Sequence, residues 1–228
     1  LQGERLALNL QQSGFAGQLQ AQLPGLSAQL QGQLAAQAGD GSLVLDWKDP
    51  QRSRDWLAQI STLPGLPPLA PALAGLQLKG GAQLQAQWRG GWRDLQRQLQ
   101  RAGLPLGTAA ASGGAPFTLQ ARLDAPRFGA QRSASAPGAA LDLQLQDLHA
   151  TFSGALTDLD ASVSGQLRSG AQQLQLQVRA QGRNPATGPW ALQLPELQLQ
   201  WQDKQRPGPW RLALAQPLAL QLTPGPQG

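Results

Sequence analysis

The chain has 228 residues, a formal net charge of +5, only 14% charged residues, and no Cys or Met. Without Cys there is no disulfide and no thiolate metal site. The cations are scattered, only Arg93, Arg97 and Arg101 lie close together, and there is no Lys/Arg tract with interleaved aromatics, so the composition argues against a nucleic-acid partner.

Residues 1–48 predict four or five strands. Leu6, Leu8 and Leu10 alternate, Gly14 and Gly17 suggest a turn region, and Leu19, Ala21 and Leu23 alternate up to Pro24-Gly25. A weaker pair, Leu30 and Leu34, flanks Gly32. Gly39-Asp40-Gly41 then turns the chain into Leu43-Val44-Leu45-Asp46-Trp47. Period two points alternate side chains to opposite faces, so each such run has one oily and one wet face.

Residues 49–75 break the pattern. Asp49 is a good N-cap with Pro50 at the first helical position. Trp56, Leu57 and Ile60 then fall at helical spacing, and Leu63-Pro64 ends the helix. A Pro/Gly-rich connector follows to residue 75. Strand repeats resume from 76 to 228: Leu76–Leu78 and Gln83–Trp88 on either side of Gly80-Gly81, a second short helix from Trp92 to Ala102 with Gly103 as its C-cap, and a strand at Phe117–Leu123. Small-residue loops are expected near 103–116 and 125–140.

From residue 141 onward the chain predicts almost nothing but strands about ten residues apart. The aliphatic positions keep one parity in each run: Leu141, Leu143 and Leu145; Leu174, Leu176 and Val178; Leu192 and Leu194; Leu212 and Leu214; Leu218 and Leu220. Leu197 and Leu199 change parity after Pro195, and a bulge there would keep them on the same face. Such register is foreign to disordered tracts, although Gln, Pro and Gly are abundant. A weak repeat, L-Q-L-[QP]-[DE]-L-x-x-x-[FW], covers Leu143–Phe152 and Leu192–Trp201 and suggests an elongated array.

Catalytic chemistry is thinly supplied. His149 is the single His, no G-x-S-x-G elbow is present, and the nitrogen and sulfur ligands of a zinc site are missing. The glycine pairs lack the Lys-Ser/Thr of a phosphate loop. The expectation is a protein that is not an enzyme and carries neither cofactor nor metal. Trp88, Trp201 and Trp210 are candidates for the rim of an apolar groove. The plainer alternative is that they fill or cap the sheet.

The L-x-L-x-L strands, the Leu-Pro-x-Leu interruptions at 23–26, 63–66 and 194–197, and the stretch from Leu76 to Trp92 together resemble the AsmA-like superfamily, most closely its TamB branch. The resemblance covers most of the chain as a pattern; residues 100–140 depart from it. It implies an all-β, elongated, curved antiparallel sheet with a U-shaped cross-section enclosing a hydrophobic groove, plus one or two short helices. It further implies a periplasmic segment of an inner-membrane-anchored protein in a Gram-negative bacterium, which passes phospholipid acyl chains between membranes and works with an outer-membrane TamA-like partner. A chain beginning at Leu1 and lacking Met is, on this view, an internal piece of a longer protein. The expected groove lining is the twelve single-parity positions Leu141, Leu143, Leu145, Leu174, Leu176, Val178, Leu192, Leu194, Leu212, Leu214, Leu218 and Leu220. Two rivals make different predictions. A closed structural solenoid requires every Leu to be buried, and an assembly factor that captures client strands requires a long exposed edge.

Overall fold

The computed structural model describes residues 6–9, 14–60, 73–101, 116–132, 140–155, 157–183 and 190–222. The elements are, in order, β1 (Leu6–Asn9), β2 (Gly14–Leu23), β3 (Leu26–Leu34), β4 (Gly39–Trp47), α1 (Pro50–Ile60), β5 (Leu76–Arg89), α2 (Trp92–Arg101), β6 (Thr118–Arg132), β7 (Leu141–Ala155), β8 (Asp158–Ser169), β9 (Gln172–Arg183), β10 (Trp190–Asp203), β11 (Trp210–Ala213) and β12 (Leu218–Leu222). The twelve strands form one sheet. From β1 to β10 each strand pairs antiparallel with the next in the chain. The short strands β11 and β12 share the outer edge of β10. The fold is therefore all-β: a curved, open antiparallel sheet with two short helices.

Tight turns explain the simple order. Pro24-Gly25 joins β2 to β3, with Gly25 at φ 79°; Pro followed by Gly suits a turn whose second central residue needs positive φ. A side chain at Gly25 would also strike the carbonyl oxygen of Asp49, 1.9 Å from the Cβ position.

Three bulges shape the sheet. The register shifts between Gly81 and Gln83 where β5 meets β6, between Gln146 and His149 where β7 meets β8, and between Gln193 and Glu196 where β10 meets β9. A bulge bends its strand and resets which face the next residues occupy. The first two lie side by side, because Ala125 on β6 faces Leu148 on β7. They form a crease across the four neighbouring strands β5 to β8. Asp147, inside the second, adopts φ 51°.

The helices sit where strands end. β4 pairs only with residues 82–89 of β5, leaving the start of β5 without a strand on that side. There α1 takes its place: the Gln51 side-chain oxygen accepts the Leu78 backbone N–H at 2.8 Å. Asp49 caps the helix, its carboxylate accepting the Arg52 N–H at 3.0 Å. Ser53 is buried, donates to the Pro24 carbonyl at 2.8 Å and accepts the Trp47 indole N–H at 2.9 Å. At the other end of the strands, α2 is pinned to the start of β6. Asp94 accepts the Phe117 backbone N–H and the Gln98 amide, both at 2.6 Å. It also pairs with Arg97 at 2.8 Å, so one member of the only local arginine cluster is engaged within its own helix.

Several expected breaks are instead continuous strand. Gly14 and Gly17 lie inside β2, and β3 runs through Gly32 without interruption. Gly80-Gly81 is no turn: β5 passes through it, because the glycine lets two backbones approach where a Cβ on Gly80 would lie 1.9 Å from the Arg127 carbonyl oxygen. The loop expected at 125–140 is strand as far as Arg132. Pro126 falls at the crease, where a missing N–H costs the ladder little, and Phe128 and Ala130 restore the alternation beyond it. Residues 64–72 of the connector expected at 64–75, residues 103–115 of the loop expected at 103–116, the Gly103 cap and residues 133–139 lie outside the described residues. Leu-Pro-x-Leu has two uses, a turn at 23–26 and a bulge at 194–197; the copy at 63–66 is not described.

Gly80 has φ 95° and no room for a Cβ, whereas a Cβ on Gly129 would meet only the Leu143 carbonyl oxygen, at 3.7 Å. Gly80→Ala is expected to lower stability by more than about 1 kcal/mol, and Gly129→Ala to stay within about 0.5 kcal/mol of wild type. Urea denaturation midpoints check both. Equal effects would mean that the two positions are not distinguished by backbone crowding.

Candidate lipid-binding face

Residues directly opposite one another on neighbouring antiparallel strands point to the same side. The register can therefore be followed across the sheet. Leu19 faces Leu30, Leu30 faces Leu43, and Leu43 faces Ala86. Ala86 faces Ala121, Ala121 faces Phe152, and Phe152 faces Ala161. Ala161 faces Ala180 on β9. Every member of this row is apolar. The parallel row on the other side carries Gln18, Gln31, Ser42, Gln87, Gln120, Ser153, Asp160 and Gln181. One face is oily and the other wet from β2 to β12.

All twelve expected lining residues lie on the oily face. Leu145 faces Leu167, which faces Leu174. Leu199 faces Leu176 on one side and Leu212 on the other, and Leu197 faces Val178. Leu192 and Leu194 face Leu220 and Leu218. Leu214 donates its backbone N–H to the Leu197 carbonyl, and Leu141 and Leu143 face Arg132 and Ala130 on β6. The bulge between Gln193 and Glu196 is what keeps Leu197 and Leu199 on the same side as Leu192 and Leu194.

The sequence repeat acquires a structural meaning here. In both copies the two leucines of Leu-Gln-Leu occupy the oily face, the next residues form the bulge, and the following Leu and aromatic return to that face with reversed parity. The aromatic is Phe152 in one copy and Trp201 in the other. The repeat is a bulged strand.

Nothing in the described part of the chain covers this face. Substantial contacts between elements are those of paired strands, plus that of α1 with β5. No leucine whose side chain is described is buried; the buried apolar residues are Ala21, Pro50, Phe117, Ala125, Ala130 and Ala155. Most of the leucines are half-buried by their sheet neighbours. Leu212, Leu218, Leu220 and Leu141 are exposed, at 54%, 41%, 37% and 38%. A closed solenoid core requires the reverse. The outermost described strands are short, β1 and β11 having four residues and β12 five, and β1 pairs only with residues 14–17 of β2, so residues 18–23 have no described strand partner on that side.

The aromatics on the oily face fall into two groups. Trp201 and Trp210 are register partners at one end of the strands, and Trp210 is 61% exposed. Trp88 is near the other end and is used by the sheet itself. Its indole lies over Gly41, where a Cβ would come within 2.2 Å of the ring, and its N–H donates to the Gln33 carbonyl at 3.2 Å. Gly41 belongs to a row with Gly32 and Gly17. Trp47 reaches over β5 to Phe128 on β6, ring centroids 5.5 Å apart, across the crease. Neither the aromatic pair nor the glycine row was visible in the sequence, because both depend on cross-strand register. The apolar residues of β2–β4, such as Leu19, Leu30 and Leu43, belong to the same face but were not among the expected lining; their alternation was the available signal.

On the wet face, Asp124, His149 and Ser164 stand in register on β6, β7 and β8. His149 Nδ1 is 2.5 Å from Asp124. No hydrogen bond joins His149 to Ser164 among the described residues, so the row lacks the nucleophile–base contact of a hydrolase. Arg122 instead holds Asp124 through two bonds, at 2.6 and 3.1 Å. The described residues contain no group of three or more His, Cys, Asp or Glu that could hold a metal, and no described helix is long and apolar enough to cross a membrane. Compared with known proteins, the chain matches no family model, no curated protein and no solved structure.

Hydrogen bonds from Arg122, and secondarily from His149, hold the Asp124 carboxyl below its ordinary pKa. A depressed folded value means that this contribution to stability is present above the ordinary carboxylate range and is lost as pH falls through the folded value. Arg122→Gln is expected to raise the Asp124 midpoint toward its ordinary value. Side-chain carboxyl NMR during acid titration measures this, and an unmoved midpoint would remove Arg122 as the main cause.

Proposed function

We propose that this chain is a segment of a lipid conduit, in which the oily face shields acyl chains in transit between two membranes. The observation that carries this reading is a continuous aliphatic face, crossing the sheet from β2 to β12, with no described protein layer over it. An acyl chain laid on such a face leaves water, contributing up to about 0.8 kcal/mol for each CH₂ fully buried. Leu and Ala offer no polar side-chain atom to hold a headgroup at one place, so the surface favours sliding over tight capture. The curvature at the crease favours a trough over a flat plate. The wet face, rich in uncharged Gln, keeps the outside hydrated without a strong field.

The role is passive, with no chemical step and no bound cofactor. The pattern resemblance to the TamB branch of the AsmA-like superfamily supports a periplasmic segment of an inner-membrane-anchored protein in a Gram-negative bacterium. It also supplies the partners: phospholipid, and an outer-membrane TamA-like protein engaged through the parent chain. The work served is outer-membrane biogenesis.

The test compares two neighbours on β9. Leu176 lies on the oily face and Gln175 on the wet one. Purified protein is expected to carry phospholipid in native mass spectrometry and to take up a fluorescent fatty-acyl probe. Leu176→Asp, combined with Leu143→Asp and Leu214→Asp in protein whose circular dichroism remains that of a β-sheet, is expected to abolish both. Gln175→Asp is expected to leave both intact. Folded wild-type protein that carries no lipid and takes up no probe would overturn the conduit.

A further inference from the structure

The wet face carries a concavity that the conduit does not use. It has a volume of about 340 Å³ and is lined by Gln77, Lys79, Arg127, Gln131, Gln144 and Gln146, with Gly129 among them; Gly80, Phe128 and Leu145, a register row whose side chains belong to the oily face, also contribute to its wall. Register explains its shape. Lys79 faces Gly129, which faces Gln144. Gln77 faces Gln131 on one flank of that row, and Arg127 faces Gln146 on the other. Neighbouring pairs on one face are about 5 Å apart, so these side chains ring a position that has none. A Cβ at Gly129 would meet nothing closer than a carbonyl oxygen at 3.7 Å. The space above the glycine is open.

The ring has a definite chemical character. It contains two cations and four carboxamides, and no carboxylate lines the cavity. Neither Lys79 nor Arg127 forms an ion pair with any described residue. The nearest acid in register, Asp142, faces Gln131 and accepts its amide at 3.2 Å. Elsewhere on this face Arg122 and Arg179 are matched to Asp124 and Asp160. A guanidinium fork and an ammonium together suit an oxyanion, and Arg favours one with several equivalent oxygens. Carboxamides can both donate to such oxygens and accept from hydroxyls. The volume is at the small end of ligand sites.

We infer that this glycine-floored pocket on the polar face binds a small phosphate-bearing polyol, of the glycerophosphate type. The ligand is either a soluble molecule or the headgroup of a lipid presented from outside the sheet. Its phosphate sits between Lys79 and Arg127, and its hydroxyls meet Gln131, Gln144 and Gln146. The inference is independent of the conduit, because the pocket and the aliphatic face are on opposite sides of the same strands.

The test titrates the 228-residue chain with glycerol 3-phosphate and with inorganic phosphate, followed by amide NMR and calorimetry. Glycerol 3-phosphate is expected to bind, to shift the amides of Gly129, Gln144 and Gln146, and to bind more tightly than inorganic phosphate. Lys79→Gln with Arg127→Gln is expected to weaken binding by about tenfold or more. Gly129→Val, which fills the floor and keeps every charge, is expected to abolish it. Arg211→Gln, on β11 and away from the pocket, is expected to change nothing. Flotation with phosphatidylglycerol vesicles separates the two sources: vesicle binding lost in Gly129→Val identifies a lipid headgroup, and glycerophosphate binding without vesicle binding identifies a soluble ligand. Binding that responds to the charge changes but not to Gly129→Val would overturn the pocket in favour of a diffuse basic surface, as would no binding by any probe to folded wild-type protein.

Discussion

Everything in this molecule depends on one-to-one antiparallel pairing of successive strands. Such pairing transmits side-chain parity from one strand to the next. A residue that points to the oily side fixes its partner there, and that partner fixes the next. A one-residue slip anywhere would turn every later leucine toward water. The chain nevertheless tolerates three slips, because each is a bulge placed where the sequence parity also changes. At β10 the aliphatic residues switch from even to odd positions across Leu194–Glu196, and the ladder switches with them. The bulges are thus corrections that keep a single apolar face while bending the strands that carry it.

A protein stabilised in this way has little interior. Among the described residues its buried apolar side chains are four alanines, one phenylalanine and Pro50, and its leucines are sheltered mainly by adjacent leucines. Ladder hydrogen bonds and lateral contacts within one layer replace the second layer that most sheets acquire. The wet face contributes in kind. Gln173 bonds to Gln166, Gln177 to Glu196, and Gln181 to Asp160, each tying neighbouring strands together through neutral or singly charged groups. Long carboxamides can bridge strands without the repulsion that a carpet of like charge would impose.

Strand alternation was legible directly in the residues, and so were the two helices, since Asp49-Pro50 and Trp92–Ala102 break period two. The expected bulge near Pro195 was legible for the same reason, as a change of parity. Glycine misled. Gly14, Gly17, Gly32 and Gly80-Gly81 look like punctuation, yet each lies within a strand, because glycine also serves where two backbones or a backbone and an indole come close. Whether a glycine turns the chain or lets something approach is decided by what faces it, and that information is spread over residues far apart in the chain. Trp88 shows the limit well: its resting place on Gly41 is 47 positions away in sequence and one strand away in space. The glycine-floored pocket was hidden for the same reason, being assembled from β5, β6 and β7 at once.

The substitution of a helix for a strand beside the first half of β5 has a geometric consequence. Strands β2 to β4 have nine or ten residues, whereas β5 to β7 have fourteen or fifteen. At about 3.3 Å per residue, the girth of the sheet measured along a strand grows from about 30 Å to about 50 Å. It narrows again to the twelve residues of β8 and β9. The described sheet is therefore narrow along its strands from β2 to β4, broadest at β5 to β7 beside the paired bulges, and broad again at the fourteen residues of β10. A layer whose width varies in this way cannot present the same span of apolar surface at every strand.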